Sequence, residues 1–409
     1  MRAVDKVFLV VMALHASASV AQPSAGFRED FNAMTLNNLV THSGPLVCTR
    51  NPGGDDPENI TMTVPGTDTW GFFASSVYPL TWQGTGATQS WAVNGGVLYT
   101  HAQRGPSDDG HAFLSRRTFD RSRYLTATIR MSPDYCQNSS AGCFAGFTLI
   151  SSEADYREIA FLSTGTVNAL GQQLYRVGRW APCDMRDFYD ANGQPIVVPG
   201  GTLYTLRLDY LGPEGGGWRY FFNGAEVKMV DANGALQYGE AGTSWKAALS
   251  GDPHVGMYWG APVLGQYFEG RMDEVVVHQL DKVTPFSVYA KSSYTGTPPS
   301  SATDGDPATQ WNAGAGAPSW IEFDLGSTVE LKKLRLLTSQ WPSGTTTHNI
   351  YVGNAPAPTT LVRTLQGSTT DNTWLDVDLI GAGVSGRYVR VETTASPGWV
   401  AWREIQLYR

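Results

Sequence analysis

The sequence predicts an all-β protein with two sandwich domains, and three observations lead to this prediction. Charged residues make up only 16% of the chain, whereas Gly (45) and Trp (13) are frequent and helix-forming runs are nearly absent. Apolar and polar residues alternate with a period of two in short stretches such as 125–131, 203–208 and 274–278, the pattern of strands with one buried face. Turn signals such as Asn223-Gly224 separate these stretches. Strands without intervening helices favour β-sandwiches.

The first 21 residues read as a signal peptide. Arg2 and Lys6 precede a short apolar run, and Ser19-Val20-Ala21 offers a cleavage site before Gln22. The run is too short to span a bilayer, and no later stretch is long and apolar enough. We therefore expect a secreted or periplasmic protein. The formal net charge of -8, without a basic cluster, argues against a nucleic-acid partner. We do not expect a membrane partner either.

The four cysteines all fall in the first predicted domain, and an even number in an exported chain favours two disulfides. Three pairings are possible. Because Cys136 and Cys143 enclose a turn-rich loop, we expect them to pair with each other, and Cys48 to pair with Cys183. The cysteine spacings match no zinc-binding pattern, which argues against the alternative of a metal site.

Residues 26–280 form the first predicted domain. Asp30-Phe31, residues 91–98, residues 155–160 and residues 270–275 resemble the concanavalin-A-like jelly roll of lectins and glycanases. The resemblance implies an N-terminal jelly-roll sandwich. It does not by itself assign an activity, since jelly rolls host many functions.

Glu158 is the one candidate catalytic residue in this domain. Family-16 glycoside hydrolases place three carboxylates on one strand as Glu-Ile-Asp-x-x-Glu, and the overlay of that pattern puts Glu158 at the first of them. Ala160 and Ser163 stand in the other two places, whereas a retaining glycosidase needs two carboxylates. The alternative interpretation is a surface carboxylate paired with an arginine such as Arg176.

Alternation also predicts an open sheet face that carries candidate ligand-binding residues. Ile159 and Phe161 should point into the core, which leaves Glu158 on the opposite face. Aromatic platforms with a few polar groups bind sugars, although the same residues could be packing under a loop. The candidates on this face are Arg176, Trp180, His254 and Tyr258.

Oxygen-bearing residues cluster near the start of the second predicted domain, residues 284–409. Asp304, Asp306 and Thr309 fall within six positions around Gly305, and Glu404 lies in the last residues of the chain. Oxygen ligands at this spacing suit a calcium-like ion. Together with Trp311, Asp324-Leu325-Gly326 and residues 387–392, these motifs resemble the discoidin (coagulation-factor type C) domain, which includes the family-32 carbohydrate-binding modules. The alternative is a plain Asp-Gly turn with solvated carboxylates.

The discoidin resemblance implies a C-terminal galactose-binding-like β-sandwich with a structural calcium or sodium site. The family pattern places the side chains of Asp304, Asp306, Thr309 and Glu404 around the ion. The backbone carbonyls of Ser301 and Arg403 complete the predicted ligand set.

Loop aromatics are the candidate ligand contacts of this second domain. Trp341, His348 and Trp399 lie in turn-rich segments, and a loop tryptophan can stack on a sugar ring while polar neighbours bind its hydroxyls. Trp311, Trp320 and Trp402 stand beside strand patterns, so we expect them in the core.

The sequence thus predicts an exported protein that binds polysaccharide or another glycan, with a calcium-stabilised discoidin-like module. One alternative is a secreted glycoside hydrolase or lyase with its catalytic groups on the jelly roll. Another is an adhesion protein that binds proteins or membrane surfaces. The sugar, its linkage and the oligomeric state stay open.

Overall fold

The computed structural model of the protein describes its chain in segments. The described segments are residues 27–29, 40–42, 61–63, 70–74, 87–94, 97–103, 111–137, 141–152, 155–181, 184–212, 217–230, 234–238, 249, 251–260 and 266–409. Nearly all regular structure within them is β-strand, which confirms the prediction of an all-β protein. Across these segments, no helix has the length and apolar character needed to cross a membrane.

The N-terminal part of the chain is a succession of antiparallel strands. In chain order they are β1 (Phe27–Glu29), β2 (Val40–His42), β3 (Thr61–Thr63), β4 (Trp70–Ala74), β5 (Ala87–Asn94), β6 (Val97–Gln103), β7 (His111–Thr118), β8 (Tyr124–Cys136), β9 (Ala141–Ser152), β10 (Asp155–Val167), β11 (Gln173–Ala181), β12 (Asp184–Asp187), β13 (Val197–Pro199), β14 (Tyr204–Tyr210), β15 (Trp218–Phe222), β16 (Ala225–Glu226), β17 (Lys228–Val230), β18 (Leu236–Tyr238), β19 (His254–Gly260) and β20 (Tyr267–Leu280).

Most of these strands form two large sheets that pack face to face, and β17 and β18 pair as a separate two-stranded sheet. The first sheet has the order β16-β15-β14-β8-β20-β6-β5-β2, and the second has the order β12-β11-β10-β9-β19-β7-β4-β3. Phe161 of the second sheet meets Tyr204 of the first, with ring centroids 5.7 Å apart. Ile159 and Phe161 lie in the shared core, as their alternation predicts. The arrangement is a β-sandwich, and its concanavalin-like topology stays a prediction.

The predicted disulfide between Cys136 and Cys143 is present. The two cysteines lie at the adjoining ends of β8 and β9, and both are buried in the core. The second predicted pair, Cys48 and Cys183, lies outside the described residues.

The C-terminal part continues with shorter connections. Its strands are β21 (Lys282–Val283), β22 (Ser287–Ala290), β23 (Trp311–Asn312), β24 (Ser319–Glu330), β25 (Lys333–Thr338), β26 (Gly344–Gly353), β27 (Thr360–Thr369), β28 (Trp374–Asp378), β29 (Ser385–Ala395) and β30 (Ala401–Tyr408), with one turn of 3₁₀ helix at Pro299–Ala302.

Two sheets again make a sandwich in this part of the chain. One has the order β21-β30-β25-β28 and the other β22-β24-β29-β26-β27. Trp311 and Trp402 are buried in the core between them, as the sequence predicts. Trp320 does not join this core, because its ring lies half-buried on the outer face of β24 under the guanidinium of Arg390, 4.2 Å from the ring centroid.

The sheet β21-β30-β25-β28 turns its outer side towards the N-terminal sandwich, and we call that side the interdomain face. The carboxylate of Asp209 on β14 lies at the centre of the contact and is fully buried. It accepts hydrogen bonds from Tyr124 Oη at 2.6 Å, Thr126 Oγ1 at 3.0 Å and Lys333 Nζ at 3.0 Å. Arg207 binds the same carboxylate with two nitrogens, at 2.7 and 2.8 Å. Every lone pair of this buried acid is thus satisfied by residues from both domains.

Further ion pairs extend the interdomain contact. Arg207 also pairs with Asp378. Arg219 on β15 pairs with Asp376 on β28, and Asp376 accepts a further hydrogen bond from Arg335 Nε at 3.2 Å. Because these pairs link strands far apart in sequence, they hold the two sandwiches against each other.

Candidate functional site

The predicted cation loop follows the 3₁₀ turn and is closed by its own side chains. Thr309 Oγ1 donates to Asp304 Oδ2 at 2.8 Å and also approaches the carbonyl oxygens of Ser301 at 3.3 Å and Asp306 at 3.1 Å. Asp304 Oδ1 and Asp306 Oδ1 accept backbone N–H groups of the loop, each at 2.9 Å. The structure therefore brings together oxygens of Ser301, Asp304, Asp306 and Thr309.

Glu404 on β30 reaches this loop from the opposite side. Its carboxylate is only 2% exposed, and Oε2 accepts the N–H of Gly305 at 3.3 Å. Lys282 Nζ lies 3.9 Å from Oε1. The pairing between β25 and β30 shifts register at Arg403. A residue at such a bulge is left unpaired in the ladder. The backbone carbonyl of Arg403 is therefore available to bind a cation. The Arg403 side chain pairs with Asp371 at 2.9 Å and donates to the carbonyl of Pro307 in the loop at 3.4 Å.

This donor set fits a hard cation, because it consists of carboxylate, hydroxyl and carbonyl oxygens. In the described part of the chain, no three or more His, Cys, Asp or Glu side chains are grouped closely enough to hold a metal. A cation here would therefore depend on the carbonyl oxygens of Ser301 and Arg403 as much as on carboxylates.

Three large aromatic side chains are exposed at one end of the C-terminal sandwich, which we call the aromatic end. Trp341 is 82% exposed, and Trp399 and Tyr294 are about half exposed. The rings of Tyr294 and Trp399 are 5.6 Å apart with an angle of 46° between their planes. The predicted loop positions of Trp341 and Trp399 are therefore confirmed, and Tyr294 joins them.

The loops that carry Trp341 and Trp399 pack directly against each other. A Cβ atom on Gly398 would lie 2.1 Å from the carbonyl oxygen of Trp341, so only glycine permits this approach. Gln340 Nε2 donates to the carbonyl of Pro342 at 3.0 Å, and Ser396 Oγ donates to Gln340 Oε1 at 3.2 Å. The two tryptophans thus stand on one interlocked pair of loops.

His348 is not at this surface, which corrects the prediction that it contacts ligand from a turn. It lies within β26, its side chain is 3% exposed, and its ring packs edge-on against Trp402 with centroids 4.8 Å apart. Nδ1 lies 2.9 Å from Thr393 Oγ1. Burial lowers the pKa of His348 to about 4, so the imidazole is neutral at pH 7. Turn residues on both sides of β26 obscured this burial in the sequence.

Three of the N-terminal candidates, Glu158, Arg176 and His254, lie on one face of the second sheet. Backbone register pairs Glu158 with Thr148, Arg176 with Leu162 and His254 with Ile150. The backbone of Trp180 pairs with that of Met185, and the backbone of Tyr258 pairs with that of Gly146.

Burial on that face changes one interpretation. Glu158 is 3% exposed, so it is not a surface carboxylate. Arg176 Nε donates to Asp187 at 2.7 Å, and the pairing of Glu158 with an arginine stays a prediction. His254 Nδ1 donates to the carbonyl of Ser115 at 2.6 Å, and burial lowers the pKa of His254. The strand that carries Glu158 has Ala160 and Ser163 at the positions where the glycosidase pattern requires carboxylates.

Sequence reasoning missed Tyr294 and the ionic contact around Asp209. The turn residues Thr295 and Gly296 beside Tyr294 were a usable signal for an exposed aromatic. The pairing of Asp209 with Lys333, which are 124 residues apart, had no local signal, because both look like ordinary outward positions of amphipathic strands.

Comparison with known proteins finds similarity in the C-terminal part. Residues 287–405 match the family model of the F5/8 type C domain, and no curated protein matches the chain. Similar solved structures include the CBM32 of AlyQ in complex with 4,5-unsaturated mannuronic acid, which is 24% identical and covers 31% of this chain and 97% of that chain, with a TM-score of 0.28. The family 32 module of NanJ from C. perfringens, in complex with galactose, is 19% identical. It covers 32% of this chain and 99% of that chain, with a TM-score of 0.28.

A third similar structure is chitosan-binding module 2 from the chitosanase/glucanase of Paenibacillus sp. IK-5, in complex with chitotriose. It is 26% identical and covers 31% of this chain and 98% of that chain, with a TM-score of 0.27. The family match confirms the resemblance that the sequence motifs carry: the chain contains an F5/8 type C domain at residues 287–405.

Proposed function

We propose that the protein binds carbohydrate and that the ligand lies across the aromatic end of the C-terminal domain. The observation that carries the proposal is the exposure of Tyr294, Trp341 and Trp399 on adjoining loops of one end of the sandwich. Grouped exposed aromatics mark binding surfaces. The F5/8 type C match over the same residues supports the proposal.

The chemistry of the aromatic end suits a sugar better than a strongly charged ligand. Aromatic rings offer flat apolar surface for the C–H face of a sugar ring, and amides and hydroxyls orient its hydroxyl groups. Gln340 and Ser396 lie among the loops that carry the tryptophans. The charged side chains closest to them in the hydrogen-bond network, Arg403 and Asp371, neutralise each other.

The test compares an aromatic residue at this end with one at the far end. Phe286 is 79% exposed and packs beside Gly326, at the opposite end of β24 from the loops. Binding of the full chain to a panel of soluble polysaccharides is measured by calorimetry or affinity electrophoresis. We expect Trp399→Ala to weaken binding by about 1–3 kcal/mol and Phe286→Ala to leave it unchanged. Equal effects of both substitutions, or no binding to any glycan, would refute the proposal.

We also propose a structural calcium ion in the 301–309 loop. The side chains of Asp304, Asp306, Thr309 and Glu404 and the carbonyls of Ser301 and Arg403 would hold it; sodium is the alternative. The buried carboxylate of Glu404 supports this, because a buried acid favours a nearby positive charge. The ion would tie the first loop of the domain to its last strand and has no role in chemistry.

Export is the third part of the proposal. The disulfide between Cys136 and Cys143 supports an oxidising compartment. Recovery of the protein from periplasm or medium, with residues 1–21 removed, would agree with the proposal. A protein that keeps residues 1–21 and stays in the cytoplasm would contradict it.

A further inference from the structure

A buried polar layer lies within the C-terminal sandwich, directly under the aromatic end. Ser319 on β24 pairs with Thr393 on β29, and Thr393 pairs with His348 on β26. Their side chains point into the sandwich, and each is at most 3% exposed. Two positions further along the same strands, the inward residues are apolar. The polar layer therefore begins where the hydrophobic core ends, and it replaces the apolar packing next to the loops.

Several polar atoms in this layer have no hydrogen-bond partner among the described protein atoms. They are Ser319 Oγ, His348 Nε2 and Trp402 Nε1. Each belongs to a residue that is at least 97% buried. Leaving such groups unsatisfied is costly, and native proteins rarely do so. The rings of His348 and Trp402 are in edge-to-face contact at 4.8 Å, so their two unpartnered nitrogens belong to one local cluster.

We propose that ordered water is bound in this layer, bridging His348 Nε2 and Trp402 Nε1, and that His348 is thereby a positioning residue for ligand binding. The second clause rests on the proposed function. Strand β30, which carries Trp402, begins two residues after Trp399, and β26, which carries His348, begins three residues after Trp341. A water held between these strands fixes the bases of both aromatic loops.

Hydrogen-bond chemistry is consistent with one water in that position. A buried water makes about three hydrogen bonds to polar groups that otherwise lack partners. The indole N–H of Trp402 can only donate, so the water accepts from it. The neutral His348 ring presents an acceptor at Nε2 when Nδ1–H donates to Thr393, and a donor at Nε2 in the other tautomer. Either tautomer can therefore bind the water.

Preorganisation explains how such a water contributes to ligand binding. Rings that already stand in the bound geometry lose less conformational freedom on binding. The contact between Gly398 and the Trp341 carbonyl couples the loops to each other, and the polar layer couples them to the strands below. Losing the layer loosens both rings without removing either.

The first test does not require a ligand. A crystal structure of the full chain at high resolution and NMR of ¹⁵N-labelled protein are used to locate the water. We expect density within hydrogen-bond distance of both His348 Nε2 and Trp402 Nε1, and a water cross-peak to the Trp402 indole proton. A dry layer, or direct protein partners for these nitrogens, would overturn the proposal.

The second test compares His348→Gln with His348→Leu. Glutamine keeps a polar group that can bind the water, whereas leucine does not. We expect His348→Leu to weaken polysaccharide binding by about five- to tenfold and His348→Gln to retain binding within about twofold. Equal binding by the two folded variants would contradict a positioning role. If His348→Leu does not fold, the comparison of His348→Gln with wild type and the water signal decide the question.

The two proposals fail in different ways. If wild type binds no glycan, the proposed function fails while the water experiment still decides the polar layer. If wild type binds and Trp399→Ala weakens binding as expected but the layer is dry, only this inference fails.

Discussion

The interdomain face and the aromatic end of the C-terminal domain place opposite types of side chain against the usual rule for burial. The interdomain face buries the charged side chain of Lys333, which is only 1% exposed, against the fully buried Asp209 of the N-terminal sandwich. The aromatic end exposes large apolar rings. Both arrangements depart from the usual distribution of residue types, in which charges lie outside and large apolar groups inside. Each departure indicates a partner: for the interdomain face the partner is the N-terminal sandwich, and for the aromatic end we propose a glycan.

The energetics of the two regions differ accordingly. Burial alone would raise the pKa of Asp209, but Arg207 and Lys333 outweigh it and hold the pKa well below its usual value. The pairs are therefore needed once the domains dock, because an unpaired charge in that position is costly. The exposed aromatic rings contribute little to the free energy of folding, so their positions can serve ligand binding instead. Substitutions should thus separate stability from binding.

The largest effect is expected for Asp209→Ala. It leaves Lys333 and Arg207 buried without their acceptor, so we expect a loss of about 3–5 kcal/mol in the free energy of unfolding. Denaturant unfolding of the full chain measures it. Asp273→Ala is the control, because its partner Arg130 is about half exposed and such pairs contribute about 0–1 kcal/mol. Similar losses of unfolding free energy for both variants would mean that the buried interdomain ion pairs stabilise the protein no more than an exposed pair.

Acid should weaken the same contact gradually. The folded-state pKa of Asp209 lies below its unfolded value. Its contribution is therefore complete above the unfolded pKa, near pH 4, and is lost as pH falls towards the folded pKa. We expect wild type to lose stability more steeply below pH 4 than Asp209→Asn. Parallel pH profiles of unfolding for the two proteins would contradict this.

Calcium removal should have an intermediate effect on stability. An ion at about a hundred times its dissociation constant stabilises by about 2.7 kcal/mol, so a chelator should lower the melting temperature and added calcium should restore it. Asp306→Ala should abolish this response, whereas Glu330→Ala, which removes an exposed carboxylate of the same domain, should keep it. A melting temperature that does not change when chelator is added would exclude a bound calcium ion.

Gly398→Ala should weaken glycan binding although it adds only one methyl group. The added Cβ would overlap the Trp341 carbonyl, so the loops must separate, and overpacking of this kind costs about 1–3 kcal/mol. We expect weaker glycan binding. Gly367→Ala is the control, because its Cβ meets nothing within 4 Å. Unchanged binding by Gly398→Ala would show that the loop contact does not position the rings.

The smallest effect on folding is expected for Trp341→Ala. Its side chain is 82% exposed, so we expect the free energy of unfolding to change by no more than about 0.5 kcal/mol, while glycan binding weakens. A large loss of stability would show that Trp341 supports the loops and is not free for ligand.

Local patterns in the sequence determined the strand character of the chain and several of its details. Alternation placed Ile159 and Phe161 in the core, and the strand context of Trp311 and Trp402 indicated their burial. The grouping of Asp304, Asp306 and Thr309 is also local, because a tight turn brings neighbours together whatever surrounds it. The short separation of Cys136 and Cys143 predicted their disulfide for the same reason.

Only the tertiary structure decided which residues meet across long separations. His348 and Trp399 look alike in the sequence, as polar or aromatic residues near turns, yet packing buries the first and exposes the second. Tyr294 meets Trp399 only because two distant loops share one end of the sandwich. Asp209 meets Lys333 only because two sheets dock. Periodicity reports which face of a strand is apolar, but the partner of that face depends on how the sheets pack.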